Sequence, residues 1–196
     1  FETKEMNWIV ENHVVKFPDE NLNVSNTDLN FKGEISDLIL YLINQRSKIH
    51  ITGDVLSKNM KFEELYTITE INGTNEGEEF STVLPEWIET DLEVNVESFW
   101  YKQFNAKKLK GDLKYDMDKL KLSSEKLEMK TLDGRISASF DYFENKLHDL
   151  VLKSNISLKK INISDGFKSF NNLGQNFVTD KNIKGLATAN MYIQSM

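Results

Sequence analysis

The chain contains no cysteine among its 196 residues, which excludes disulfides, thiolate metal sites and a cysteine nucleophile. A cysteine-free chain suits reducing and oxidising compartments alike, so this absence gives no signal about location. Long apolar runs are also missing. The longest, at 38–43, is far shorter than the ~20 residues that a membrane-spanning helix needs. Nothing resembles a signal peptide, and the first residue is Phe1, so we expect a soluble module excised from a longer protein.

Basic surface is scarce as well. The formal net charge is -7 and the pI is about 5.1, which disfavours nucleic acid as a partner because phosphate-binding surfaces are usually concentrated basic patches. We expect one module over 1–196. Its best internal boundary is the polar loop at 72–81, between a strand and helix part at 1–71 and a meander with a helix at 82–196.

Catalytic motifs are missing too. The histidines at positions 13, 50 and 148 are far apart and lack ligand spacing, and no nucleophile elbow, zinc-protease, P-loop or Rossmann pattern occurs. The adjacent carboxylates Glu63-Glu64 and Glu78-Glu79 lie in polar stretches, where such pairs are usually solvated. We therefore expect no enzyme, no cofactor and no metal site.

From Thr90 onward the sequence alternates with the period of two that a half-buried strand shows. Leu92, Val94 and Val96 face one way, and the acidic residues between them face the other. The next strand carries lysines on its polar face, over 108–114, which suits antiparallel pairing with the acidic strand.

Turn signals divide this region into successive strands. A parity break at Ser123-Ser124 predicts a β-bulge, and Asp133-Gly134 predicts a hairpin. The apolar positions of these strands form one predicted inner face. Its residues are Leu92, Val94, Val96, Leu113, Tyr115, Ile136, Ala138, Phe140, Leu150 and Leu152.

Two apolar helices interrupt the strands. The first, at 38–43, is apolar all round, as helices buried on several sides are. The second, within 161–176, has Ser164 and Asp165 as start signals and Gly174 as an end signal. A third short helix is predicted at 60–68. We expect the first two to act as plugs on the inner face, through Leu38, Leu42, Phe167, Phe170 and Phe177.

The large apolar face of the predicted sheet must be shielded from water, and two arrangements could do this. A second sheet that closes a sandwich or barrel is one solution, and periodicity alone favours it. The other solution is an incompletely covered, curved sheet with an apolar groove.

Several segments carry a resemblance to a known family. A strand ending in Ile161-Asn162-Ile163 leads to a Phe-rich helix, then to Gly-Gln-Asn-Phe at 174–177 and to Lys184-Gly185 before the last strand. Leu-Lys-Gly-Asp-Leu at 109–113, with the Asp-Gly hairpin, and the segment at 28–38 are similar too. In these features the chain resembles the C-terminal region of AsmA-family proteins.

The resemblance implies a mainly β fold of the α+β type: a curved antiparallel β-meander forming a groove or partly open roll, with two or three short helices packed on its apolar face. AsmA-like proteins are periplasmic, are anchored in the inner membrane of Gram-negative bacteria, and are related to bridge-like lipid transfer proteins. The resemblance therefore implies a non-catalytic module that binds phospholipid or another acyl lipid and contributes to outer-membrane assembly. Its further partners would be the membrane, through an anchor outside this sequence, and envelope proteins.

Two alternatives stay open beside the lipid module. One is a structural or protein-interaction β-sandwich of an envelope assembly protein. The other is an enzyme such as a glycosidase, which would need a cleft with paired carboxylates.

Overall fold

The computed structural model describes residues 8–44, 48–66, 87–145, 147, 149–174 and 176–195, so the predicted loop and boundary at 72–81 lie outside the described residues. The strands are β1 (Ile9–Glu11), β2 (Val14–Val24), β3 (Thr27–Ser36), β4 (Ile49–Lys61), β5 (Ile88–Tyr101), β6 (Phe104–Asp116), β7 (Lys121–Thr131), β8 (Gly134–Glu144), β9 (Leu150–Asn162) and β10 (Leu186–Ser195). The helices are α1 (Leu38–Asn44), α2 (Phe62–Tyr66) and α3 (Ile163–Ser169), and a 3-10 turn follows α3 at Asn171–Gly174.

All ten strands belong to one sheet, in which each strand lies beside its neighbours in sequence. The two outer strands, β1 and β10, do not pair with each other, so the sheet is open. The preference of periodicity alone for a closed sandwich or barrel is therefore wrong. The predicted curved meander, forming a groove with short helices, is confirmed.

One junction of the sheet differs from the rest. β4 and β5 run parallel, with Ile49 opposite Ile88 and Lys61 opposite Trp100, whereas every other neighbouring pair of described strands is antiparallel. The sheet therefore consists of two antiparallel meanders, β1–β4 and β5–β10, joined side by side. The sequence did not predict this parallel junction.

Alternation in the sequence explains how the strands pair. Leu92 lies opposite Leu113 across β5 and β6, and Asp91 lies opposite Lys114 on the other face. The Lys114 Nζ atom is 4.0 Å from the Asp91 carboxylate, as the predicted pairing of an acidic with a lysine-rich strand requires.

Bulges and turns adjust the register where the alternation breaks. The predicted bulge of β7 is present and lies between Ser124 and Leu127, slightly further along than Ser123-Ser124. The Asp112 carboxylate accepts the backbone N–H groups of Glu125 and Lys126 there, at 2.9 and 2.8 Å. The predicted hairpin is confirmed, but its two turn residues are Leu132 and Asp133, both with positive φ, one position earlier than the predicted Asp133-Gly134.

α1 (Leu38–Asn44) matches the predicted 38–43 to within one residue, whereas α2 and α3 differ from their predicted bounds. α3 begins after Asn162, whose side-chain oxygen accepts the Asp165 N–H, so the predicted start signals Ser164 and Asp165 already lie inside the helix. α3 ends at Ser169, and Gly174, with a φ of 71°, closes the 3-10 turn instead. α2 begins only at Phe62 because β4 continues to Lys61.

The helices lie at the two ends of the strands. We call the end that contains Ser36, Ile49 and Ile88 the first end, and the end that contains Thr27, Lys61 and Phe104 the second end. α1 follows β3 at the first end, whereas α2 and α3 follow β4 and β9 at the second end.

Candidate functional site

Strand register aligns apolar side chains across the whole sheet. In antiparallel and parallel pairs alike, residues directly opposite each other point to the same face. One row crosses all ten strands in this way. Its members are Val10, Val15, Ile35, Ile51, Thr90, Tyr115, Leu122, Tyr142, Leu152 and Ser195. We call the surface formed by this row, and by the rows parallel to it, the apolar face.

A second row lies nearer the second end. It begins at Glu20 and continues through Phe31, Val55, Val94, Gly111, Leu127, Ala138, Ile156 and Met191. Strands of the central part have up to 14 residues, so they span about 45 Å at ~3.3 Å per residue. The apolar face is therefore continuous both along and across the strands.

All ten residues of the predicted inner face point to this surface. Val96 and Tyr115 are buried, and Val96 packs with Met60 and Leu109 in a small core. The other members are half-buried, except Leu150 at the first end, which is 39% exposed. Most of the predicted face is thus only half-buried.

No second layer of described residues covers this face. Neither α1 nor α3 contains a buried residue. Val15 and Val96 are nevertheless fully buried. We infer that curvature of the sheet contributes to this burial, because it turns side chains of neighbouring strands toward one another.

The predicted plug residues lie at the ends of the sheet. Leu38 and Phe167 are half-buried, whereas Leu42 is 66% exposed. Phe170 packs on Phe104 at the second end, with ring centroids 5.4 Å apart. Phe177 lies beyond the 3-10 turn and is 83% exposed. The structure thus does not gather these five side chains into one cluster.

Aromatic contacts hold the helices to the strand ends. Tyr41 of α1 stacks on Trp87 with centroids 4.9 Å apart, and Phe62 of α2 packs against Phe99 and Tyr101. The middle of the apolar face lies between these contacts.

A few polar groups interrupt the apolar face. Ser124 and Ser154 lie on either side of Phe140 in one row, and both are buried. The Ser154 hydroxyl donates to the Ser139 carbonyl oxygen at 2.9 Å. The hydroxyls of Ser124 and of Ser57 on β4 have no hydrogen-bond partner.

Glu64 of α2 fastens the β2–β3 hairpin at the second end. Its carboxylate accepts the side-chain N–H of Asn26 at 2.8 Å and the Thr27 hydroxyl at 2.9 Å. The hydrogen bond from the Asn26 side chain, followed by that from Thr27, holds the pKa of Glu64 below its ordinary value. This carboxylate is therefore an ionised structural anchor.

The opposite face carries most of the charged side chains. His50 Nδ1 lies 2.8 Å from the Glu89 carboxylate, and Lys121 lies 2.7 Å from Asp141. Within the described ranges, no group of three or more His, Asp or Glu side chains could hold a metal ion. His13 is exposed in a turn, and position 148 lies outside the described residues.

Comparisons with protein-family models, with curated proteins and with solved structures find no match. Across the described ranges, no helix has both the length and the apolar character needed to cross a membrane. The assignment of the apolar face as the candidate site therefore rests on the geometry of the sheet alone.

Sequence reasoning missed the part of the apolar face that lies on β2–β4. Phe31, Ile35, Ile51 and Val55 belong to the same rows as the predicted residues. Their alternation is visible in the sequence, but only the β4–β5 junction shows that they extend the same face.

Proposed function

We propose that this chain is a non-catalytic lipid-binding module whose apolar face shields acyl chains from water. The observation that supports it is the set of mainly apolar rows, one of which crosses all ten strands, with no second layer of described residues over them. Most charged side chains of the strands lie on the opposite face, although Glu20 is buried in the second row of the apolar face. The sheet therefore has one mainly apolar side and one charged side.

The energetics suit an acyl ligand. Each methylene group that leaves water contributes about 0.8 kcal/mol, so a chain of many methylenes binds without any specific polar contact. Half-buried residues such as Leu92, Leu113 and Phe140 still expose apolar surface that a ligand would cover. A long, shallow contact of this kind holds a chain at many equivalent positions, as transfer along a groove requires.

The resemblance to the AsmA family supplies the setting of the proposal. There the ligand would be phospholipid, moved between the inner and outer membranes of a Gram-negative bacterium, and the site of action would be the periplasm. The same resemblance would add a membrane anchor and envelope proteins as partners.

Lipid extraction tests this function directly. The chain is purified without detergent, its solvent extract is analysed by mass spectrometry, and a fluorescent acyl probe is titrated against it. We expect co-purified phospholipid and saturable probe binding that phospholipid displaces. A folded protein that neither carries lipid nor takes up the probe would refute the proposal.

A protein-interaction module is the second candidate, and the exposed apolar ends favour it. Leu42 and Ile43 of α1 are 66% and 76% exposed, and Leu147 at the same end is 79% exposed. A lipid-free protein that loses a co-purified envelope partner on Leu42→Ser/Ile43→Ser substitution would support this function instead.

A further inference from the structure

β10 is an outer strand of the sheet, and its free edge lacks the features that usually prevent pairing with another strand. β10 has ten residues, pairs only with β9, and presents its other side to no described strand. Such an edge offers a row of N–H and C=O groups to any strand that approaches, and proteins usually protect it with charges, proline or a bulge that faces outward. β10 contains neither a charged residue nor a proline, whereas each of the other strands carries at least one charge.

Exposure agrees with this composition. On the apolar face of β10, Met191 and Ile193 are 39% and 41% exposed, and on its polar face Tyr192 is 60% exposed. These side chains stand at the open margin of the apolar face, where one further strand would cover them.

We propose that β10 pairs with β10 of a second copy of this chain, antiparallel and edge to edge, to form a symmetric dimer with one continuous sheet. Self-pairing brings no like charges together because β10 has none. The other edge is a poor partner, since β1 has only three residues and ends in Glu11, which pairs with Lys16.

Geometry restricts how the two copies can meet. A two-fold axis perpendicular to the sheet keeps both apolar faces on the same side. Because opposite residues of an antiparallel pair share a face, one residue must lie opposite its own copy, with the axis midway between the two. If Met191 lies opposite Met191 of the second copy, Ala189 lies opposite Ile193 of that copy, and Asn190 lies opposite Tyr192 of that copy. The two apolar faces then become one face of double width. This inference does not rest on lipid binding.

A pair of charge variants tests the interface. Asn190→Lys/Tyr192→Lys places lysines on the exposed polar face of the edge, where they would meet lysines of the second copy. Asn155→Lys/Ser157→Lys is the matched control, since these exposed β9 residues are the register partners of Tyr192 and Asn190 one strand further in. Mass is measured by light scattering over a concentration series, with circular dichroism to show that each variant is folded.

We expect the unmodified chain and the control to reach twice the single-chain mass of 22.7 kDa, and the edge variant to remain at the single-chain mass. A monomer at every concentration would overturn the proposal. So would a dimer that persists in the folded edge variant, or an open series of larger assemblies.

The absence of cysteine allows a second, positive measurement. Single cysteines are placed in turn at Ala189, Asn190, Met191, Tyr192 and Ile193, with Ser157→Cys as the control. A residue that lies opposite its own copy has the two Cα atoms about 4.5–5.5 Å apart, within the range that a disulfide spans. We expect mild oxidation to crosslink one position efficiently, the one that lies opposite its own copy. Equal crosslinking at all positions, or none, would contradict a fixed symmetric pairing.

Discussion

Gly33 and Gly53 face each other across β3 and β4, and a Cβ atom on Gly33 would lie 2.9 Å from the Gly53 Cα atom. It would also lie 2.1 Å from the Thr52 carbonyl oxygen and 2.8 Å from the ring of Phe31. Phe31 in turn packs against Phe17, with ring centroids 5.8 Å apart. The glycine pair therefore gives the aromatic rings room to lie directly on the backbone of the apolar face.

We expect Gly33→Ala to lower the free energy of unfolding by about 1–3 kcal/mol, because backbone atoms must move to admit the methyl group. Gly166→Ala is the control, since its Cβ would meet only Leu132 Cδ1, at 3.7 Å, and its helical position favours alanine by about 0.5–1 kcal/mol. Urea denaturation measures both. Equal stability of the two variants would show that the close contact is not a constraint.

Ser124 and Ser154 provide a second matched comparison. We expect Ser124→Ala to raise the free energy of unfolding by about 1 kcal/mol, because it removes a buried hydroxyl that has no partner. Ser154→Ala removes a bonded hydroxyl and should lower it by about 0.5–1.5 kcal/mol. Opposite signs in denaturant melts would support this assignment, and a loss of stability in both variants would contradict it.

Asp112 should make stability depend on pH. Burial by itself would raise its pKa, but the N–H groups of Glu125 and Lys126 outweigh burial and hold the pKa of Asp112 below its ordinary value of 3.8. A lowered folded-state pKa means that this stabilisation is present above the ordinary value and is lost as the pH falls through the folded one.

We expect Asp112→Asn to lose stability at pH 7 and to show a smaller further loss on acidification than the unmodified chain. Asp54→Asn, on the polar face of β4, is the control for removing one surface carboxylate. Denaturation midpoints measured from neutral to acidic pH report the difference. Parallel profiles for Asp112→Asn and the unmodified chain would rule out this role.

Phe140 distinguishes an accessible apolar face from an ordinary core. Phe140→Glu should leave the protein folded but weaken acyl-probe binding at least ~10-fold, since an unpaired charge against an acyl chain costs several kcal/mol. Asn155→Glu adds the same charge on the exposed polar face and should bind the probe normally. Circular dichroism and probe titration are compared for both variants. A Phe140→Glu protein that no longer folds would assign Phe140 to a closed core.

Much of this architecture could be predicted from local patterns. Leu92, Val94 and Val96 share a face because side chains of a strand alternate between its two faces. This alternation can be recognised in a short stretch of sequence. The Asp133-Gly134 hairpin is equally local. The parallel β4–β5 junction is not, because strand partners separated by a long connection are chosen by packing that no short window contains.

Other features escaped prediction for physical reasons. Asn162, Ser164 and Asp165 are all good helix-start residues, and the end of β9 decides that Asn162 takes the role. Whether the sheet closes depends on summed twist and curvature, to which every strand contributes a little. The unpartnered hydroxyl of Ser124 depends on the exact position of the β7 bulge.

The parallel junction also bears on the order of folding events. Every antiparallel pair except β9–β10, which residues 163–185 separate, joins strands linked by a short connection, so its loop closes at a small entropic cost. The β4–β5 pairing brings Ile49 to Ile88 across a much longer stretch, and every pair of this junction has the same large separation. The two meanders can therefore form independently before β4 pairs with β5. We expect their docking to be a late step, and until it happens both β4 and β5 are transient edges that can pair wrongly.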